Sequence, residues 1–335
     1  MAYTAGDTIL DDEYNTFVTG NAAGTGDNSV NNVNTLWGAG TLDKGYGETG
    51  STLASVSAGS TITATQWDNF LTRIETIASH QGSTVTAYST LSAGDTITAL
   101  STVATDLGTI TTSRMNAAGS GATVTTSGAS QRTAAWTTSV ATTQRVTFAS
   151  ANALRYFFNA GGLIRMTYSR SGGTSNNKNT EWTDLCNKMG TIYLSGNTSH
   201  SVNSISLTGV TQVGGGAGGA GSTKATLDVY DLTTSNQQLI IKYADTAPYT
   251  ANYIQIQAKA NAAAGSATYI DIISTFVDGA ADTGNPTYPT PGTNPASLDT
   301  VDGTLTSNVN FIYPSSTYLT SSAWGTPTIS TTEAL

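Results

Sequence analysis

The stretch Tyr253-Ile254-Gln255-Ile256-Gln257-Ala258-Lys259 decides the fold, because small or branched apolar side chains alternate along it with polar or amphipathic ones. Successive side chains of a β-strand point to opposite faces of a sheet, so this pattern predicts a strand with one buried face. Similar runs, separated by polar turn segments, lie on both sides of it. We expect strands at 145–149, 154–159, 163–169, 190–195, 204–207, 225–230, 238–243, 253–258 and 269–277. The series predicts a mainly β protein whose body, residues 146–280, is an antiparallel β-sandwich or jelly-roll-like fold.

One helix is expected to be inserted in this body. Four apolar residues recur at helical spacing after a cap at Asn179 or Thr180, and Gly190 follows the last of them. These four residues are Trp182, Leu185, Cys186 and Met189. Cys186 is the single cysteine of the chain, and at this spacing we expect it to be a core residue rather than a reactive thiol.

A five-residue pattern is repeated toward the N-terminus. Its copies are Ala5-Gly6-Asp7-Thr8-Ile9, Ala58-Gly59-Ser60-Thr61-Ile62 and Ala93-Gly94-Asp95-Thr96-Ile97. Each copy leads into apolar residues at helical spacing, and after the second copy Thr63 and Gln66 form a capping box, in which each side chain binds the other residue's backbone amide. Residues 1–112 are therefore predicted to form three short amphipathic helices in a small helical region.

The apolar faces of these helices are the predicted assembly surface. On the second helix the apolar residues crowd one side, so its aromatic residues are expected to be buried in the bundle or against a neighbouring subunit. On the third helix the predicted inner face is Leu100, Val103, Ala104, Leu107 and Ile110. We predict that region 1–112 docks on a larger assembly through Tyr14, Phe17, Trp67, Phe70, Leu71 and Ile74.

The remaining segments have weaker patterns. The spacer between the first two motif copies is expected to be a long loop or arm, and the glycine-rich stretch 214–221 a flexible loop. Residues 113–145, rich in Thr, Ser, Ala and Gly with Trp136 as their large anchor, are predicted to be a linker or arm. Residues 281–335 are expected to form a proline-containing connector followed by C-terminal strands or an arm.

Composition argues against several classes of function. Only 10% of the residues are charged and the net charge is −9, which opposes binding of nucleic acid, since that requires clustered Lys and Arg. No apolar stretch approaches the ~20 residues of a membrane span, so no membrane insertion is expected. The start of the chain has neither the basic nor the apolar segment of a secretory signal. The small share of large aliphatic residues predicts a thin body that gains stability from contacts between subunits.

No arrangement typical of an enzyme stands out in the sequence. His80 is expected at a helix C-terminus, where a polar or cationic side chain is favoured, and His200 in a polar loop. Asp271, Asp278 and Asp282 surround a predicted strand end, where solvated turn residues are a better interpretation than a glycosidase pair. We therefore expect no catalytic residues, no cofactor and no metal site.

Aromatic residues in polar, loop-like segments are the feature best suited to a ligand. Tyr and Trp present a large apolar face together with a polar group, so they can stack on sugar rings while neighbouring Ser, Thr and Asn side chains bind hydroxyls. Tyr313, Tyr318 and Trp324 are predicted to contact a glycan.

Several segments resemble virion structural proteins of tailed bacteriophages, in particular tail, fibre or neck proteins of cyanobacterial viruses. The Ala-Gly-Asp-Thr-Ile turn before a Trp/Tyr-Asn/Asp-rich helix carries the resemblance in region 1–112. The segments concerned are Tyr14-Asn15-Thr16-Phe17, Trp67-Asp68-Asn69-Phe70, Tyr156-Phe157-Phe158-Asn159-Ala160-Gly161-Gly162-Leu163-Ile164-Arg165 and Lys178-Asn179-Thr180-Glu181-Trp182-Thr183-Asp184-Leu185. The resemblance implies assembly into a virion and carries over no catalytic residue.

Together these features predict a non-enzymatic virion structural protein of a tail, baseplate, fibre or neck. Its expected partners are copies of itself, with a trimer as the first expectation, and other virion proteins. It is expected to be assembled in the host cytoplasm and exposed on the particle. Two alternatives stay open: a receptor-binding adhesin that recognises a host surface glycan, and a head decoration or collar protein.

Overall fold

A computed structural model describes residues 10–92, 100–124, 129–280 and 300–335. The first and third copies of the repeated motif, Asp282 and residues 281–299 of the predicted proline-containing connector lie outside these residues. Within them the chain is mainly β, with helices at the N-terminus and antiparallel sheets in a sandwich-like body, which confirms the predicted fold class.

In the described part of the N-terminal region there are four α-helices: α1 Asp11–Thr19, α2 Val33–Trp37, α3 Ala64–Gln81 and α4 Leu100–Thr112. The capping box predicted at the start of α3 is confirmed, since the Thr63 hydroxyl accepts the Gln66 amide at 3.2 Å and the Gln66 side chain accepts the Thr63 amide at 2.9 Å. Gly82 ends α3 in the left-handed conformation, which suits glycine at this position.

The spacer between the first two motif copies is largely a long loop, as one of the two predicted forms, but it is packed on the protein rather than extended as an arm. The short helix α2 lies within it, and Val33, Leu36, Trp37 and Tyr46 are all buried. The predicted inner face of α4 needs one correction as well: Ala104 is exposed and Asp106 is buried in its place. The Asp106 carboxylate accepts hydrogen bonds from the Thr86 amide and the Tyr88 hydroxyl, which is why a charged residue can face inward there.

The β-body consists of fourteen strands among the described residues. They are β1 Ser120–Val124, β2 Ala129–Arg132, β3 Ser139–Thr147, β4 Leu163–Ser171, β5 Thr191–Leu194, β6 His200–Val202, β7 Ile205–Leu207, β8 Val210–Val213, β9 Thr223–Lys224, β10 Gln237–Tyr243, β11 Tyr253–Ala260, β12 Tyr269–Val277, β13 Thr304–Pro314 and β14 Thr328–Glu333.

These strands form two antiparallel six-stranded sheets and one hairpin. The first sheet has the order β1-β13-β4-β5-β8, with β2 also paired to β13, and the second has the order β14-β3-β12-β11-β10-β9. Strands β6 and β7 form the hairpin. The alternation that predicted β11 is confirmed, because every second residue of that strand is buried. The two sheets face each other, as the Tyr168 and Ser274 hydroxyls meet at 2.9 Å between β4 and β12.

The prediction of a linker or arm at 113–145 is wrong, because this segment contains β1, β2 and most of β3. Strand β3 lies inside the second sheet although its buried positions include Thr142 and Gln144. The Gln144 carbonyl oxygen accepts the Ser307 hydroxyl of the facing sheet at 2.9 Å. The Thr142 hydroxyl donates to the Glu333 carbonyl of the neighbouring strand β14 at 2.7 Å. These hydrogen bonds replace bonds to water, which is why the two polar residues can be buried. The expected C-terminal strands are present as β13 and β14, one in each sheet.

Within the described ranges, two α-helices rather than one are inserted in the β-body. The prediction of a strand at 154–159 is wrong, because Ala151–Asn159 forms helix α5. The Ser150 hydroxyl caps this helix by accepting the Ala153 amide at 3.1 Å. A short apolar run is compatible with either a strand or a buried helix. Here the N-cap residue Ser150 is the local signal that favours the helix. The strand predicted at 225–230 is also absent, since Val229–Asp231 is a 3₁₀ turn capped by Asp228.

Helix α6, Asn177–Met189, is the inserted helix expected from the sequence. Its predicted inner face of Trp182, Leu185, Cys186 and Met189 is buried and Gly190 ends it, but Asn176 supplies the cap instead of Asn179 or Thr180. Burial raises the pKa of the Cys186 thiol to about 12, in agreement with its predicted role as a core residue.

One hydrophobic cluster extends through the N-terminal helices and both sheets. Polar contacts join the same parts of the chain. The Arg155 guanidinium of α5 donates to the carbonyls of Ala39 and Lys44 at 3.2 and 3.1 Å, and the Asn159 amide donates to that of Gly45 at 3.1 Å. Loop 39–45 is thereby fixed on α5, so the N-terminal region packs directly against the β-body.

Candidate functional site

A groove of about 410 Å³ lies where the end of β13 meets the segment that follows it. We call it the 313–326 groove. It is lined by Gly121, Tyr313, Pro314, Ser316, Ser322, Trp324, Gly325 and Thr326. Tyr313 and Trp324, two of the three residues predicted to contact a glycan, thus lie in one concave site.

The aromatic residues of the groove are held by the core beneath it. The Tyr313 ring packs edge-on against Phe311 and Phe157, with ring centroids 5.1 and 6.4 Å apart. Its burial raises the pKa of the phenol, so the hydroxyl stays protonated and able to donate a hydrogen bond. Trp324 is only 3% exposed, so most of its indole faces the core and little of it faces the groove.

A buried carboxylate holds the outer segment of the groove in place. Glu48, which is 1% exposed, accepts the Ser321 amide and the Thr320 hydroxyl at 2.7 Å each and the Ser321 hydroxyl at 3.0 Å. The adjacent Gly47 permits this approach, because a Cβ at that position would lie 2.4 Å from the Ala323 Cβ. The N-terminal region therefore positions residues 320–325.

The lining of the groove suits a neutral, hydroxyl-rich ligand. It combines two aromatic rings with the hydroxyls of Ser316, Ser322 and Thr326, and no charged side chain is among the lining residues. Tyr318, the third predicted glycan contact, is 41% exposed and does not line the groove. The structure thus joins two of the predicted residues and places the third outside the site.

The six predicted docking residues belong to one aromatic cluster in the N-terminal region. Trp67 and Phe70 are buried together with ring centroids 5.3 Å apart, as expected, and Phe17 stacks on Phe70 at 5.9 Å. Tyr14, Leu71 and Ile74 are buried as well. Since these side chains pack on one another, they hold α1 against α3 and present little surface of their own. Their role in docking stays a prediction.

The two histidines are more buried than their sequence positions indicate. His80 does not lie in the polar setting expected at a helix C-terminus: it is 2% exposed, it packs against Tyr46, and burial lowers its pKa to about 4. His200 lies on β6 rather than in a loop, and burial lowers its pKa to about 4 as well. Both rings are therefore neutral at pH 7.

The aspartates suspected at a strand end are buried ion-pair partners rather than solvated turn residues. Asp271 accepts two hydrogen bonds from the Arg145 guanidinium, at 2.7 and 3.0 Å. Asp278 pairs with Lys178 at 2.7 Å, and both of these side chains are at most 5% exposed. Each of these two carboxylates therefore forms an ion pair with a basic residue of the same protein, Arg145 or Lys178.

A cluster of carboxylates on α6 is the feature that sequence reasoning missed. Oxygens of Glu181, Asp184 and Asp245 lie within 4.8 Å of one another. Two of these residues are three positions apart on α6, but Asp245 follows β10 and is distant in sequence, so no local spacing reveals the group. Among the described residues this is the group of acidic, His or Cys side chains whose geometry could hold a metal ion.

Comparison of the chain with family models, curated proteins and solved structures finds no match. Within the described ranges, none of the helices has the length and apolar character needed to cross a membrane.

Proposed function

We propose that this chain is a non-enzymatic structural subunit of a tailed-bacteriophage virion, located in the tail, baseplate, fibre or neck. The observation that carries the proposal is the repeated turn-and-helix motif. In its described copy, Ala58–Ile62 leads through a capping box into α3, and α3 contributes Trp67 and Phe70 to the aromatic cluster. This motif is also where the sequence resembles virion proteins.

The N-terminal region is suited to docking as a rigid platform. The aromatic cluster fixes α1 on α3, while Arg155 and Asn159 fix loop 39–45 on the β-body. Exposed residues of α3 such as Asn69 and Thr72 are polar, whereas Leu10 and Leu42 expose apolar side chains beside α1 and in loop 39–45. A partner would therefore contact a preformed, mainly polar surface that also offers these two apolar side chains. A preformed surface reduces the entropy lost on binding, which favours permanent assembly.

Self-association and docking can be measured on the purified chain. Mass photometry should give a stable oligomer, with a trimer as the expected state. Trp67→Ala should lose binding to the other virion proteins, because it destabilises the chain that forms the platform, while Thr72→Ala, a change at an exposed position of the same helix, should keep it. A stable monomer that binds no virion protein would exclude the proposal.

A second candidate function is recognition of a host surface glycan, favoured by the 313–326 groove. The test is a glycan array combined with binding to host cells. The double variant Ser316→Ala, Ser322→Ala removes two lining hydroxyls and should weaken binding, whereas Ser330→Ala on β14 should not. If the unmodified chain binds neither glycans nor host cells, the adhesin function is excluded and the structural function is unaffected. A head decoration or collar protein remains the third candidate, and location on the particle distinguishes it.

A further inference from the structure

We propose that Glu181, Asp184 and Asp245 form a binding site for a divalent cation of the calcium class. The inference rests on the geometry of these carboxylates and on the burial of Glu181, and it does not depend on the proposed function. Its residues are distinct from those of the 313–326 groove and of the aromatic cluster.

The spacing of the three carboxylates matches a calcium ion. Calcium binds oxygen ligands at about 2.3–2.6 Å, so two ligands on opposite sides of the ion are at most ~5 Å apart. The oxygens of Glu181, Asp184 and Asp245 lie within 4.8 Å of one another, so all three can reach one ion without movement of the backbone. Magnesium requires near-octahedral geometry and gives up its water ligands reluctantly, and it is therefore expected to bind more weakly than calcium.

The environment of Glu181 is the second observation that points to a cation. Glu181 is only 5% exposed, and its Oε1 is buried without a hydrogen-bond partner. A buried polar atom without a partner is destabilising, and more so when the group is charged. An oxygen of the same carboxylate lies within the cluster, so a cation bound there would compensate the charge of this poorly solvated carboxylate.

Lys188 occupies part of this space in the structure. Its ammonium pairs with Asp184 and, at 2.5 Å, with Asp245, and these hydrogen bonds raise the pKa of Lys188. Lys242 lies close by, with its ammonium 3.0 Å from the Lys188 carbonyl. Three carboxylates against one pairing lysine leave an excess of negative charge. A divalent ion can replace the ammonium, because the flexible stem of Lys188 allows its head to move into solvent.

The site is open to solvent on one side. The side chains of Asp184 and Asp245 are 43% and 37% exposed, while Glu181 forms the buried floor. Water can therefore complete the six to eight oxygen ligands that calcium takes. A bound ion would connect α6 to the segment after β10 in place of Lys188.

Terbium luminescence on the full chain tests the proposal, since terbium replaces calcium and Trp182, the neighbour of Glu181, can sensitise its emission. We expect saturable emission that calcium reverses and that magnesium reverses only at higher concentration. Glu181→Gln and Asp245→Asn should each weaken binding roughly tenfold or more, because removing even a residue that only supports a ligand costs about 10–100-fold. Lys188→Met should tighten binding, because the competing ammonium is gone.

Two controls separate this result from non-specific binding or misfolding. Asp12→Asn changes an exposed carboxylate in the first turn of α1 and should leave the affinity unchanged. Circular dichroism verifies the fold of each variant, and the melting temperature should rise with calcium in the original chain but not in Asp245→Asn. The proposal is overturned if neither the original chain nor Lys188→Met binds terbium, or if Asp245→Asn binds it as tightly as the original chain.

Discussion

Replacing Trp67 by Ala should destabilise the whole chain rather than the N-terminal region alone. Trp67 is 1% exposed and packs edge-on against Phe70 at 5.3 Å. Truncating a buried Trp to Ala costs about 3–5 kcal/mol. Domains are typically stable by only about 5–15 kcal/mol, so the loss should be a large share of the total. Because one hydrophobic cluster connects the helices with both sheets, the effect should reach the β-body.

Urea unfolding followed by two probes measures this effect. Far-UV circular dichroism reports the backbone. Intrinsic fluorescence of Trp67→Ala reports Trp37 of the N-terminal region together with three tryptophans of the β-body, Trp136, Trp182 and Trp324. Both midpoints should fall together in Trp67→Ala. Thr72→Ala, exposed on the same helix, should stay within about 0.5 kcal/mol of the original chain. A loss below ~1 kcal/mol, or an unchanged fluorescence midpoint, would refute the reasoning and make residues 1–112 an independent unit.

Three further predictions concern the rest of the chain. Gly47→Ala should lower the free energy of unfolding by about 1–2 kcal/mol through its left-handed backbone and by about 1–3 kcal/mol through the clash with Ala323. Thermal unfolding measures the loss, and Gly50→Ala, whose added Cβ would meet nothing within 4 Å, should change little. Arg145→Met should lower the free energy of unfolding in urea by about 3 kcal/mol, because it removes the ion-pair partner of the buried Asp271 carboxylate. Arg165→Met is the control and should leave the free energy of unfolding nearly unchanged. His80 has a folded pKa of about 4, below its ordinary 6.5, so the unfolded chain binds the extra proton and stability is lost as pH falls from about 6.5 to about 4. His80→Gln should therefore show a shallower decline of unfolding free energy over that range. Equal slopes of unfolding free energy against pH in the original chain and in His80→Gln would contradict the prediction. Asp228, whose pKa burial raises to about 6, also titrates in this range, but it contributes equally to both proteins.

The sequence predicts elements well where the local pattern and the tertiary contacts agree. Helix α3 has a capping box, an apolar stripe and a terminal glycine, and its predicted features are confirmed. Strand β11 alternates because one face packs on the core. In both cases the information lies within one segment, so periodicity is sufficient.

Prediction failed where distant residues decide the structure. Strand β3 buries Thr142 and Gln144 between β12 and β14, so its pattern resembles a polar linker until its neighbours are known. The sequence predicts two of the eight residues that line the 313–326 groove, Tyr313 and Trp324. It does not predict the role of Glu48, because Glu48 acts on residues 320 and 321, far along the chain. The carboxylate cluster was missed because Asp245 meets α6 only in the folded state.

The most direct test of the central claim is immunogold labelling of purified virus particles with an antibody against this chain. We predict gold at the tail, baseplate, fibres or neck, at positions that repeat from particle to particle. Labelling confined to the head would favour the decoration function. Particles that carry no gold, although the chain is detected in lysates of infected cells, would contradict a structural role in the virion.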